Sequence, residues 1–209
     1  PLYQMLGAIF SVFAIDKENI GFTMNLMSGF SSALTIAFMY WSIVLILLKI
    51  ISTDKFTLNR QLAISGAGLV GALSFSFTDS FWFNAVEAEV YAMATLIMSI
   101  LFYLGLRWET DMNKPRGNKW LLLICFVIGL SFGVHFMGLL TIPAIVLIFY
   151  FKNQKTIQSS LKINSLYGFL FANILGLLIL MGIFKLILPY TLKFFSMIEL
   201  LFVNNFNLP

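Results

Sequence analysis

The chain has 209 residues, of which 60% are hydrophobic and only 11% are charged, and its mean hydropathy is +0.93. A soluble domain carries roughly a quarter charged residues, so this composition excludes a soluble protein and indicates an integral membrane protein. The net charge of +4 comes from Lys and Arg in short polar loops, where it reports membrane orientation and gives no case for a nucleic-acid partner. We expect an all-α fold, a polytopic bundle of transmembrane helices, as one domain over residues 1–209.

The predicted elements begin with an apolar stretch, residues 1–14, that is too short to cross a bilayer. We expect residues 1–21 to form an interfacial helix and an outer loop, with a truncated spanning helix as the alternative. Because the chain starts at Pro1 without a methionine, we expect it to be a fragment of a longer protein. The predicted membrane helices are 22–48, 61–78, 86–106, 120–134, 137–151 and 163–184, followed by interfacial helices on the outer face at 185–209.

Three short basic loops set the predicted topology. By the positive-inside rule all three lie in the cytoplasm, so the chain crosses the membrane an even number of times between each pair. Two spans then place the segment Asp79–Glu89 on the outer face. Two short tilted helices, or a re-entrant hairpin, place His135 on the same face. The loops contain Lys49, Lys55 and Arg60, then Arg107, Lys114, Arg116 and Lys119, and finally Lys152, Lys155 and Lys162.

The segment from Asp79 to Tyr91, DSFWFNAVEAEVY, holds three of the nine acidic residues of the chain. Carboxylates beside a bilayer are costly to desolvate, so this cluster is a functional-site hypothesis. On a helix Glu87 and Glu89 would lie about 200° apart, so only one of them would face a cavity. Asp79 could instead stabilise the start of the next helix, a structural alternative that explains one acid better than three.

His135, the only histidine, lies between Gly133 and Gly138 in the sequence. A hydrogen-bonded structural role is the alternative to a ligand-binding role for this side chain. The aromatic residues near Trp82 and Tyr91 are more often an interfacial belt than a substrate platform. The sequence shows no metal-ligand spacing, phosphate-binding glycine motif or nucleophile elbow.

Four segments resemble the domain of unknown function 2723 family: PLYQMLGAIF at Pro1, FWFNAVEAEVYAM at Phe81, GLSFGVHF at Gly129 and ELLFVNNFNLP at Glu199. This bacterial multipass family is similar to eukaryotic membrane protein O-mannosyltransferases and, more broadly, to glycosyltransferases of the C superfamily. The resemblance implies a bundle with its active site on the outer face, here the periplasmic face of the bacterial inner membrane. It also implies a polyprenyl-phosphate-linked sugar as donor, a protein hydroxyl or a glycan as acceptor, and an inverting transfer.

The resemblance also implies roles for individual residues. Glu89 matches the catalytic acid, because E-V-Y opens the following helix in the same way, and Glu87 is the weaker match. A further catalytic acid is expected upstream of Pro1, and His135 is expected near the lipid phosphate. Substrate-binding roles are expected for Asp79, Trp82, Asn84 and Tyr91, and a divalent metal could be held by Glu89 and Asp79.

Two other functions stay open from the sequence. A transporter or flippase of lipid-linked cargo would use the acids as an ion site near the bilayer midplane. A non-catalytic envelope subunit would have acids that point apart, with no cavity between Glu89 and His135.

Overall fold

A computed structural model describes residues 1–51 and 57–206, and these residues form helices and turns without a strand. In lipid every backbone N–H and C=O group needs a partner within the protein, and a helix supplies these partners locally. The predicted all-α bundle is therefore confirmed. Lys55, from the first predicted basic loop, and residues 207–209 of the predicted outer segment lie outside the described residues. The described chain divides into two compact units, Pro1–Thr141 and Ile142–Pro209.

Two central helices, α2 and α5, organise the first unit. Helices α1, α3 and α4 contact α2, whereas α6 and a 3-10 segment contact α5. The helices of this unit are α1 (Leu2–Ser11), α2 (Ile20–Ile50), α3 (Leu58–Ser76), α4 (Asp79–Val86), α5 (Val90–Asp111) and α6 (Asn118–Ser131), with 3-10 segments at Lys17–Asn19 and Phe136–Thr141.

Small and hydroxyl side chains of α2 allow it to approach its neighbours closely. The residues that α2 buries are Thr, Ser and one Met, and Ser31 and Thr35 donate hydrogen bonds to backbone carbonyls one turn earlier. Helix association in lipid depends on such close packing, since lipid chains are as apolar as leucine. Helix α3 approaches α2 in the same way, because a Cβ atom on Gly68 would lie 2.9 Å from Val44 Cγ2.

Four ranges are long and apolar enough to cross a membrane, by length and composition, among the residues described. Helices α3 and α4 form a fifth candidate as a broken pair bent by 70°. With these spans the chain is an integral membrane protein. The four ranges are Lys17–Ile50, Val90–Asp111, Phe136–Leu161 and Ser165–Asn205.

Several helices extend further than the sequence predicted. Helix α2 continues to Ile50 and α5 continues to Asp111, each past the first charged residue of the predicted loop. Backbone hydrogen bonding does not stop at the edge of the hydrocarbon, and the charged side chains of a last turn can reach water. At its other end α5 begins at Val90 and not at residue 86, so Glu87 and Glu89 precede the helix.

The charged end of α5 carries an ion-pair network. Glu109 pairs with Lys49 at the end of α2, and Asp111 accepts hydrogen bonds from Lys114 at 2.8 Å and from the Trp120 indole at 2.9 Å. Helix α5 has 22 residues and therefore rises about 33 Å, enough to cross a hydrocarbon core. Glu89 thus lies at the opposite end of α5 from this network.

The second unit contains α7 (Ile142–Leu161), α8 (Ser165–Gly182), a π-helical turn (Ile183–Ile187) and α9 (Leu188–Phe206). Helices α7 and α8 pack against each other at glycines, and a Cβ atom on Gly176 would lie 2.9 Å from Pro143 Cα. Helix α8, the π-helical turn and α9 follow one another without a break, so 41 residues from Ser165 to Asn205 form one candidate range.

The close contact at Gly68 predicts a position-specific loss of stability. Leucine at this position would force Val44 and Tyr40 away from α3, because the Tyr40 ring also lies 3.3 Å from the added Cβ atom. We expect Gly68→Leu to lower the free energy of unfolding by about 1–3 kcal/mol, the usual cost of overpacking. Thermal denaturation of the detergent-purified protein measures this. Gly66→Leu is the matched control, since nothing lies within 4 Å of its added Cβ atom, and equal melting temperatures for the two variants would contradict the prediction.

Candidate functional site

A short bend places Glu87 and Glu89 between α4 and α5. Both residues have extended backbone, with φ −102° and ψ 139° at Glu87 and φ −122° and ψ 165° at Glu89. The Glu89 N–H group donates to the Glu87 carbonyl oxygen at 2.8 Å. The argument that these acids lie 200° apart on one helix is therefore wrong, because neither residue is helical.

Glu89 is the N-cap residue of α5, yet its side chain makes no capping hydrogen bond. Both Glu87 and Glu89 are exposed, and no ion pair joins either acid to another side chain in the described part of the chain. The Glu89 carboxylate therefore stands exposed at the start of a membrane-length helix, without a capping bond or an ion pair among the described residues.

Asp79 lies in the first turn of α4, directly after the N-cap residue Thr78. An acid there interacts favourably with the helix dipole, which is the structural alternative considered for this residue. The eight residues of α4 separate Asp79 from Glu87 by about 12 Å along the helix. Among the described residues, no three His, Cys, Asp or Glu side chains come close enough together to hold a metal ion.

The aromatic residues of α4 face two environments. Phe81 is buried and its ring centroid lies 4.8 Å from that of Phe75. Trp82 is 56% exposed and stacks on Phe77, with the ring centroids 6.4 Å apart. This arrangement matches an interfacial belt. Asn84 is half-buried on the same helix.

Tyr91 and His135 lie side by side, with their ring centroids 5.6 Å apart. This contact brings Tyr91, the last residue of the acidic segment, next to His135, whereas the membrane face on which they lie stays a prediction. The His135 Nδ1 atom accepts a hydrogen bond from the Met137 N–H group at 3.2 Å. A neutral imidazole that accepts at Nδ1 carries its proton on Nε2, so Nε2 is left as the donor of this ring.

The start of α1 docks onto the segment that carries His135. The Tyr3 N–H group donates to the Gly133 carbonyl oxygen at 3.0 Å. Burial raises the pKa of the Tyr3 hydroxyl, a side-chain hydrogen bond with Ser28 opposes this shift, and the negative charge of Glu89 adds to it. Tyr3, Ser28 and His135 therefore form a polar cluster where α1 meets α2 and the segment after α6. The sequence did not single out Tyr3 or Ser28, and the only signal was the position of Tyr3 in the PLYQ motif.

An apolar groove extends from this cluster into the bundle. It has a volume of about 270 Å³ and lies between α1, α2, α5 and α6. Its lining includes the chain neighbours of the cluster, since Leu2 precedes Tyr3, Met27 precedes Ser28 and Val134 precedes His135.

The family model of the protein O-mannosyl-transferase TMEM260 N-terminal domain matches residues 1–158. The chain belongs to this family. This family is one of protein O-mannosyltransferases, so the resemblance to such glycosyltransferases is confirmed, and the description of the matching model does not name the domain of unknown function 2723. No curated protein and no solved structure matches the chain.

The contact between α1 and the His135 segment gives a test of the site. A Cβ atom on Gly133 would lie 2.6 Å from Leu2 Cβ and 3.0 Å from the Leu2 backbone nitrogen. We expect Gly133→Ala to displace the start of α1, to cost about 1–3 kcal/mol of stability and to lower transferase activity. Gly129→Ala is the control, because nothing lies within 4 Å of its added Cβ atom. Melting temperature and sugar transfer are measured together, and wild-type activity in Gly133→Ala would show that this docking is not needed.

Proposed function

We propose that this chain carries part of the active site of an inverting glycosyltransferase of the C superfamily. The enzyme transfers a sugar from a polyprenyl-phosphate donor to a hydroxyl group of an acceptor, a protein in the first place. The observation that carries this proposal is the exposed carboxylate of Glu89, which makes no capping hydrogen bond and lies two residues before Tyr91, the ring partner of His135. Met93, one turn further along α5, lines the apolar groove.

Each part of the cluster has a task in this reaction. The acceptor oxygen forms a bond to the anomeric carbon while the bond from that carbon to the phosphate oxygen breaks, and polyprenyl phosphate leaves. Glu89 accepts the proton of the acceptor hydroxyl as general base. His135 donates a hydrogen bond from Nε2 to the leaving phosphate, whose growing negative charge it stabilises. The groove holds the first isoprene units of the donor.

A supporting role suits the remaining predicted residues. Tyr91 orients His135 through their ring contact, and Trp82 and Asn84 border the site on α4. A divalent metal at this site would be held by Glu89 together with phosphate oxygens of the donor, since α4 separates Asp79 from the bend.

The distribution of charge supports a location of the site on the outer side of the membrane. The end of α5 that faces away from Glu89 lies among Lys49, Arg107, Lys114 and Lys119, and positive loops stay in the cytoplasm. The site then faces the periplasm of a bacterial cell. A transporter fits less well, because Glu89 stands at the start of α5 and not near its middle.

Replacing Glu89 tests the proposed function. We expect Glu89→Gln in the full-length protein to reduce transfer by at least about 100-fold, because the amide cannot take up the proton. Transfer of radiolabelled sugar from a polyprenyl-phosphate donor in membranes measures this, and the amount of inserted protein is measured in parallel. Glu18→Gln, an exposed acid just before α2, is the control and keeps wild-type activity. Full activity in Glu89→Gln would overturn the assignment, and loss only in Glu87→Gln would move the role to that residue.

The topology is tested with single cysteines. Cys125 is the only cysteine, so Cys125→Ser supplies a background without thiols. We expect a cysteine in place of Glu87 to react with a membrane-impermeant maleimide in intact spheroplasts, and a cysteine in place of Lys119 to react only after the membrane is opened. The reverse pattern would place the acidic segment in the cytoplasm and contradict an outer-face site.

A further inference from the structure

A cluster of charged side chains surrounds Trp120 at the C-terminal end of α5, and we name it the Trp120 cluster. The Trp120 indole N–H group donates to Asp111 Oδ2 at 2.9 Å, and Lys114 donates to Asp111 Oδ1 at 2.8 Å. Two further cations approach the Trp120 ring, since Arg107 Cζ lies 5.1 Å and Lys119 Nζ lies 4.9 Å from its centroid. Three cations therefore share one carboxylate, which leaves these four charged residues with an excess of two positive charges.

Arg107 has a hydrogen-bond donor that its surroundings leave unused. Its Nε atom is shielded from solvent and has no hydrogen-bond partner among the described residues. The Asp111 carboxylate does not supply one, because its two oxygens accept from Lys114 and Trp120, and Arg107 Nη2 lies 3.8 Å from Asp111 Oδ2. A shielded donor without an acceptor costs free energy, so we expect a bound acceptor at this guanidinium. The Arg107 side chain is 35% exposed, which gives such a ligand access.

The loop between α5 and α6 fixes the cluster through its backbone. The Lys114 N–H group donates to the Asp111 carbonyl oxygen at 2.8 Å, and the Gly117 N–H group donates to the Lys114 carbonyl oxygen at 3.0 Å. A Cβ atom on Gly117 would collide with the Asp111 carbonyl oxygen, so the loop closes directly against the end of α5. The cations are therefore held in place before a ligand binds, which lowers the entropic cost of binding.

The Trp120 cluster lies where the headgroup of a phospholipid meets a membrane protein. Arg107 is in the last turns of α5, a helix of membrane-spanning length, and Trp120 is in the first turn of α6. Tryptophan at such helix ends is typical of the headgroup layer. The next three residues of α6, Leu121, Leu122 and Leu123, are exposed. The site therefore combines donors for a phosphate group with an adjoining apolar surface for acyl chains.

We propose that the Trp120 cluster binds the phosphate group of an anionic phospholipid. The Arg107 guanidinium donates two N–H groups to phosphate oxygens, a planar fork that lysine does not offer. Lys119 adds a second cation, and the leucines that follow Trp120 contact the acyl chains. This lipid is distinct from the proposed sugar donor, because Arg107 lies about 27 Å along α5 from Glu89. The inference therefore does not depend on the role of Glu89.

Titration of the detergent-purified full-length protein with phosphatidylglycerol, followed by native mass spectrometry, tests this site. We expect Arg107→Gln to raise the Kd of the first bound lipid by about tenfold or more, the effect of losing hydrogen bonds to a charged group. Arg107→Lys keeps the charge but not the fork, so its Kd rises by about threefold or more. Lys119→Gln, at an exposed position that does not endanger folding, raises the Kd by about two- to fivefold. Wild-type Kd values in these variants would contradict the site.

Arg116→Gln is the matched control. Arg116 carries the same charge in the same loop, but its exposed side chain makes no ion pair or ring contact among the described residues. In about 0.15 M salt the Debye length is about 8 Å, so loop charge alone contributes little, and we expect a Kd within about twofold of wild type. Equal increases in Arg116→Gln and Arg107→Gln would show diffuse attraction to the loop and overturn the proposal.

Two further ligands separate an anionic lipid from other sources of phosphate. Phosphatidylcholine has the phosphate but no net charge, and we expect its Kd to be about tenfold higher or more. Inorganic phosphate at the same concentration does not displace phosphatidylglycerol, because it gains nothing from the exposed leucines of α6. Displacement by inorganic phosphate would identify a site for a free anion, and equal Kd values for the two lipids would remove the requirement for charge. Either result would refute the assignment.

Discussion

The close approach of α2 and α5 is the interaction on which the first unit depends. In a bilayer the hydrophobic effect does not drive helices together, so the contact requires small side chains that let the two helices approach closely. Helix α2 supplies Ser31 and Thr35, and α5 supplies Ala92 and Ala94. Every other helix of this unit contacts one of the two. The groove exists because α1 and α6 pack on the two sides of this pair without filling the space between them.

Charged side chains are costly to place in the hydrocarbon core, so those of α2 and α5 and their flanking residues lie at the two ends of these helices. At one end Glu109 and Asp111 are neutralised by Lys49 and Lys114, so these acids have structural partners. At the other end Glu89 has no such partner among the described residues and is exposed at the N-cap of α5. Glu109 and Glu89 therefore have different surroundings, since only Glu109 has a cation beside it among the described residues.

The sequence was sufficient for the fold class, because apolar length and composition decide whether a helix can cross a membrane. It also predicted that Tyr91 and His135 lie at the same end of the helices, because an even number of membrane crossings separates the basic loops on either side of each residue. The extended backbone at Glu87 and Glu89 could not be predicted, because Glu favours helix. The contact of Tyr3 with Gly133 could not be predicted, because it joins positions 130 residues apart.

The uninterrupted path from Ser165 to Asn205 has a consequence for the lipid around the second unit. A helix of 41 residues rises about 61 Å, whereas the hydrocarbon core is about 30 Å thick. Tilt alone absorbs only part of this excess, so a large part of this helix lies outside the hydrocarbon core. Lys185, in the π-helical turn, is about 30 Å along the helix from Ser165. The thickness of the bilayer therefore sets how many residues of this helix contact lipid chains and how many contact headgroups or water.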